Sequence, residues 1–213
     1  MTLSEVAIYL KVAQKTVHRM IGRNEIPAAK IGKQWRFYRP VIDDWIVSKM
    51  SQSEVIADRD EISIAQFLRS DHILVDMQGQ SKQAILENLI APFVWDGLVG
   101  KRRYLGLLLD RERMLSTAVG KGIAIPHVRH PKYNPDGGPY LLIGTSKTGV
   151  DYGSPDGMPV RIFALFAAQN ESDHLRGIAA LSNLFNRPTV AERIVSATNV
   201  KSILSIIKNE EET

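Results

Sequence analysis

Val160-Arg161-Ile162-Phe163-Ala164-Leu165-Phe166-Ala167 is apolar at every position but Arg161. A run this short, this apolar and this rich in branched and aromatic side chains reads as a strand in the middle of a sheet. The segments around it supply the covering layers. Ser81 can cap a helix carrying Ile85, Leu86, Leu89 and Ile90, which Pro92 stops. Lys101 to Arg113 is apolar along Tyr104, Leu105, Leu108 and Leu109, and Ser172-Asp173-His174 opens a helix with Leu175, Ile178, Leu181 and Phe185 on its buried face. Ser63 to Leu68, Val190 to Ser196 and Val200 to Lys208 read as shorter helices. His72 to Asp76, Ile123 to Ile125 and Tyr140 to Thr145 read as further strands, and His130 to Pro139 as a loop. Strands interleaved with helices give an α/β layer architecture from about residue 62 onward.

The first fifty residues are different in kind. They hold nine Lys or Arg against four Asp or Glu, while the rest of the chain is close to neutral. A basic head on a neutral body points to a polyanionic partner. Thr2-Leu3-Ser4-Glu5 is a capping-box pattern that starts a helix to Leu10. A break at Lys11-Val12-Ala13 precedes a second helix, Gln14 to Arg23, with Val17, Met20 and Ile21 inward. Ile26 to Phe37 reads as two short strands about a turn at Gly32-Lys33. Arg39-Pro40-Val41-Ile42-Asp43-Asp44-Trp45-Ile46 starts a third helix, Pro40 sitting at a tolerated first position. Ser48 to Glu61 is polar and reads as a linker.

This segment resembles the excisionase-like winged helix-turn-helix family, related to the MerR activators. The resemblance is carried by Leu3-Ser4-Glu5-Val6-Ala7, Leu10, Thr16-Val17, Arg19-Met20-Ile21, Ile26-Pro27-Ala28, Ile31-Gly32-Lys33, Trp35-Arg36, Ile42 and Trp45. It implies that Lys15, Thr16, His18 and Arg19 face the major groove, with Lys33, Trp35 and Arg36 on a wing near phosphates or the minor groove. The position before the second helix usually holds Ser or Thr, and here it is Ala13.

The chemistry concentrates in Gly120-Lys121-Gly122-Ile123-Ala124-Ile125-Pro126-His127 and in Arg111 upstream. The glycines free the backbone, and a histidine follows a short strand end. A neutral imidazole is a competent nucleophile near pH 7, and a guanidinium can hold a phosphoryl group through paired hydrogen bonds. Asp110-Arg111-Glu112, Ser116-Thr117 and Gly120-x-Gly122-Ile-Ala-Ile-Pro-His127 resemble the active-site segment of enzyme IIA proteins of the bacterial sugar phosphotransferase system, fructose/mannitol and nitrogen-regulatory class. The resemblance implies a mixed sheet flanked by helices over residues 62–208, and His127 as acceptor of a phosphoryl group from the histidine phosphocarrier protein. It implies Arg111 as phosphoryl clamp and His174, in Asp173-His174-Leu175, as an auxiliary beside the acceptor. Gly120, Gly122 and Ser116 or Thr117 would supply nearby backbone or hydroxyl groups. The family usually has a small residue after the histidine; this chain has Val128.

The expected organisation is a winged helix-turn-helix domain over 1–50, a linker over 51–61 and an enzyme IIA domain over 62–208. No cysteine, no apolar run near the ~20 residues of a membrane span and no signal-like start place the chain in the cytoplasm, without membrane insertion. No cofactor or metal is expected, since a phosphohistidine donor needs neither; His127, His130 and His174 lack an acidic companion at metal spacing. Expected partners are the carrier protein, DNA, and a IIB component or regulatory target, with the chain a homodimer, since one recognition helix makes few base contacts. Three functions stay open: a phosphocarrier whose state tunes DNA binding, a transport component that passes phosphate to a permease IIB domain, and a non-phosphorylated sensor or dimerisation module on a DNA-binding protein.

Overall fold

The computed structural model describes residues 1–39, 41–42, 45–46, 62–95, 97–128, 139–168 and 170–211. The expected linker, Pro40, Asp43, Asp44 and His130 lie outside the described residues, as does the side chain of Leu175. The chain divides into two compact units, Met1–Val55 and Ile56–Thr213.

The first unit opens with helix α1 (Leu3–Tyr9). Its capping box is formed: Glu5 N donates to Thr2 Oγ1 and Thr2 N donates to Glu5 Oε2 at 2.7 Å. Helix α2 (Gln14–Gly22) starts from Ala13, whose backbone is extended and whose side chain caps nothing. The antiparallel strands β1 (Ala29–Ile31) and β2 (Gln34–Arg36) follow, turning at Gly32 with φ +63°. Val6, Ala7, Val17, Ile26, Phe37 and Ile42 form a small core that Trp35, Trp45 and Ile46 help to cover.

The second unit is built on a five-stranded sheet in the order β3-β6-β7-β5-β4, comprising β3 (Leu68–Leu74), β4 (Ala118–Gly120), β5 (Ile123–Ala124), β6 (Tyr140–Val150) and β7 (Val160–Ala167). β3 runs parallel to β6 and β5 parallel to β7, while β6/β7 and β4/β5 are antiparallel, so the sheet is mixed. β7 is the middle strand. From Ile162 onward its residues alternate between two apolar clusters, and this is why that stretch is apolar at every position. Phe163, Leu165 and Ala167 pack under helices α3 (Lys82–Leu89) and α4 (Gly97–Met114). Ile162, Ala164 and Phe166 pack under α5 (Glu171–Asn186), α6 (Val190–Ser196) and α7 (Val200–Glu211). Val128 belongs to the first cluster and is buried.

Several expected elements are redrawn. The helix expected over 63–68 is a single 3-10 turn, Ala65–Phe67, and the strand expected at 72–76 begins earlier, at Leu68. β3 is an edge strand, so Arg69, Ser70 and Asp71 sit exposed in it, Arg69 paired to Asp71 at 2.7 Å; charged residues are what an edge tolerates. β6 continues to Val150 across a shift of register, with Gly149 at φ +73°, and α4 starts four residues before Lys101 despite two glycines. No helix among the described residues is long and apolar enough to cross a membrane.

Candidate functional site

Two local devices carry His127 to its place. β4 and β5 form a hairpin with Gly120 opposite Ile123, closed by Lys121 and Gly122 at φ +55° and +74°. Positive φ at both central residues is the two-residue turn that matches the twist of paired strands. A side chain at Gly122 would bring its Cβ to 3.3 Å from the Pro159 carbonyl. The turn is held from outside by Asp156, which accepts from Lys121 N at 2.7 Å, Ser154 Oγ at 2.6 Å and Met158 N at 3.1 Å. Those bonds, Ser154's foremost, hold its carboxyl down to about 2. β5 lies beside β7, and the chain leaves it through Ile125-Pro126 into His127.

The imidazole is fixed at both nitrogens. Nδ1 lies 2.9 Å from the Ile125 carbonyl oxygen. A carbonyl only accepts, so Nδ1 carries the proton and the lone pair is on Nε2. Nε2 faces Arg111 Nε, which donates to it at 3.3 Å, while Arg111 Nη1 donates to the Leu115 carbonyl at 2.9 Å. Arg111 comes from the last turn of α4, and His174 from the first turns of α5. The His127 and His174 rings lie 5.1 Å apart at 58°. Asn170 caps α5 by accepting from Asp173 N at 2.9 Å. Arg111, His127 and His174, distant in sequence, therefore meet. His127 is 4% exposed, Arg111 9% and His174 7%, so all three side chains are buried.

Ser116 and Thr117 lie just behind. Ser116 Oγ donates to the Tyr152 carbonyl at 2.7 Å. Thr117 donates from N and from Oγ1 to Glu112 Oε2, at 2.8 and 2.6 Å. Glu112, which the motif contains without a role of its own, is buried, and Lys82 Nζ donates to its other oxygen at 3.0 Å. Burial pushes the Tyr152 hydroxyl well above the usual phenol range, and the Glu112 charge adds to the rise.

In the first unit, Lys15, His18, Arg19 and Lys33 are exposed, while Thr16, Trp35 and Arg36 are half-buried. Trp35 packs against the small core and has Lys30 Nζ 5.7 Å above its ring. Arg36 donates to Gln34 Oε1 at 2.6 Å and to the Trp35 carbonyl at 3.2 Å.

Residues 66–210 match the family described as phosphoenolpyruvate-dependent sugar phosphotransferase system, EIIA 2, and residues 1–49 match a helix-turn-helix domain. The chain is 30% identical over 146 residues to a nitrogen regulatory protein of Bradyrhizobium diazoefficiens, covering 68% of this chain and 94% of that one. It is 28% identical over 153 residues to the fructose-specific EIIABC component of Bacillus subtilis, covering 70% of this chain and only 24% of that protein. The crystal structure of nitrogen regulatory protein IIA-Ntr from Neisseria meningitidis superposes with a TM-score of 0.59 at 24% identity, over 68% of this chain and 98% of that one.

Proposed function

The chain belongs to the EIIA 2 family of the phosphoenolpyruvate-dependent sugar phosphotransferase system, and from that premise we propose that it is a regulatory phosphocarrier. His127 takes a phosphoryl group on Nε2 from the phosphohistidine of a carrier protein, and the state of His127 tunes DNA binding by the helix-turn-helix domain. The observation that carries this reading is the fixed tautomer, with Nδ1–H held on the Ile125 carbonyl and the Nε2 lone pair free of a proton beside Arg111. In the transfer, the Nε2 lone pair forms the new P–N bond as the donor's P–N bond breaks. The donor ring leaves with that electron pair.

Such a transfer needs positioning and charge stabilisation more than covalent help. The Arg111 guanidinium is the clamp. It turns its N–H groups from the ring to the equatorial oxygens as they arrive. His174 is the auxiliary, close enough to steady the ring or to donate to an oxygen. A dianionic group added to a neutral ring is a large local change of charge, the kind of event that biases a two-state equilibrium elsewhere in a chain. Lys15, Thr16, His18 and Arg19 on α2, with Lys33, Trp35 and Arg36 on the wing, are proposed to meet DNA as a homodimer.

Similarity to the fructose-specific relative supports a second reading, in which the phosphoryl group passes on to a IIB component. The experiment that separates the readings pairs two measurements on the full chain. The first is labelling by phosphorylated carrier protein, for wild type and His127→Ala. The second is DNA affinity at several salt concentrations before and after labelling. Acid-labile label lost in His127→Ala, with a steep salt dependence of DNA binding that labelling alters, supports the regulatory reading. Label that passes to IIB while DNA affinity stays unchanged supports transport. Equal labelling of His127→Ala overturns His127 as the acceptor, and a wild type that takes no label while DNA binding is intact leaves a sensor or dimerisation module.

A further inference from the structure

We propose that Glu112 is a positioning residue that sets the register between Arg111 and His127, with Thr117 as its relay. The consequence for rate rests on the phosphocarrier reading; the geometry does not. The contacts form a closed ring. Glu112 Oε2 accepts from both Thr117 N and Thr117 Oγ1. The Thr117 carbonyl accepts from Ile125 N at 3.0 Å, and the Ile125 carbonyl accepts from His127 Nδ1 at 2.9 Å. His127 Nε2 accepts from Arg111, which precedes Glu112 on α4. Every link but one is a hydrogen bond, and the last is the peptide bond between Arg111 and Glu112. One carboxylate thus ties the end of the helix that delivers the guanidinium to the strand that delivers the imidazole. Lys82 Nζ, donating to Glu112 Oε1 at 3.0 Å, ties the start of α3 to the same point.

The Glu112 side chain is 3% exposed. A buried carboxylate with all its donors in place gains little stability over a well-packed apolar residue, because desolvation offsets the attraction. Its distinctive contribution is directional: both oxygens are claimed by donors of fixed position, and the Thr117 pair admits one orientation of the strand. Asp110, on the other side of Arg111, is engaged instead with Arg113 at 2.8 Å at the surface. Loss of the Glu112 tie therefore frees the Ile125 carbonyl to drift, the Nδ1–H bond to loosen and the other tautomer to appear.

The test uses the full chain, with Glu112→Gln, the milder Thr117→Val, and Ile203→Val as a control that loosens the core around α7. Three readouts are taken: ring nitrogen-15 chemical shifts of His127 without any donor, single-turnover transfer from phosphorylated carrier protein, and the urea midpoint. Wild type should show a single Nδ1–H tautomer. Glu112→Gln should show mixed tautomers and transfer slowed about 10- to 100-fold, the range expected when reacting groups are misplaced by an ångström. Thr117→Val should move the same way by less, and decides the matter if Glu112→Gln does not fold. Ile203→Val should lower the urea midpoint and leave tautomer and rate alone. A folded Glu112→Gln with the wild-type tautomer overturns the proposal, as does a slowed transfer with ring shifts unchanged. Should wild type accept no phosphoryl group while its tautomer still responds to Glu112→Gln, the positioning role stands and the phosphocarrier reading falls.

Discussion

Gly177→Ala isolates the packing that holds His174 at the site. Gly177 lies one turn after His174 on α5, over Phe166 of the central strand. A Cβ built there would lie 2.0 Å from Phe166 Cε1 and 2.4 Å from both Cδ1 and Cζ. Carbon atoms rest about 3.5–4.0 Å apart, so helix and ring must separate by roughly 1.5 Å at this point. Phe166 is fully buried in the sheet and has nowhere to swing. Overpacking of this kind costs about 1–3 kcal/mol, and alanine in a helix returns about 1 kcal/mol against glycine. The severity of the contact puts the first figure at its upper end, so the net loss should be about 1–2 kcal/mol. Urea unfolding should show it as a lower midpoint at unchanged slope. The displaced helix also carries His174 away from His127, so transfer should slow in step. Phe166→Leu, which removes the ring atoms in question, should make the double variant less destabilised than the two singles together. A Gly177→Ala protein as stable as wild type, or strict additivity with Phe166→Leu, would refute this packing and with it the placement of His174.

Ala13→Ser should stabilise the first unit by about 0.5–1 kcal/mol, since the extended backbone at Ala13 already suits a helix cap and only the hydroxyl is missing; thermal or urea unfolding of the full chain checks it. The Asp156 clamp should be sensitive to acid in a narrow window. Its carboxyl titrates below the unfolded value of 3.8, near 2, so the contribution is fully present above about pH 4 and is lost as pH falls through 2. The amide shift of Lys121 should titrate with that midpoint, and Asp156→Asn should remove the transition.

The fold was legible where one physical signal dominated. The apolar stretch 160–167 placed the central strand, and the three helices expected after Ser172 are present, the first with Leu181 and Phe185 buried as expected. The short elements were harder. β4 is three residues long, too short for alternation to show; it pairs with β5, and Glu112 anchors Thr117 just before it. β3 hides its strand character behind Arg69, Ser70 and Asp71, whose polarity reflects an edge position that sequence alone does not reveal. At the site, Arg111, His127 and His174 do converge, while Glu112, part of the motif, was given no role because nothing in Asp110-Arg111-Glu112-Arg113 tells which carboxylate turns inward. Which member of such a run turns inward depends on Lys82, thirty residues away. Val128, which departs from the family's usual small residue, is absorbed by the apolar cluster beneath.

The chemistry proposed for the chain comes down to one atom. The wild-type chain is incubated with phosphorylated carrier protein, the ring nitrogens being labelled with nitrogen-15, and the nitrogen coupled to phosphorus is identified by NMR. A single phosphorus-coupled nitrogen is expected, Nε2 of His127, with Nδ1 still protonated. Phosphorus on Nδ1, on His174 or on no histidine of the chain would contradict it.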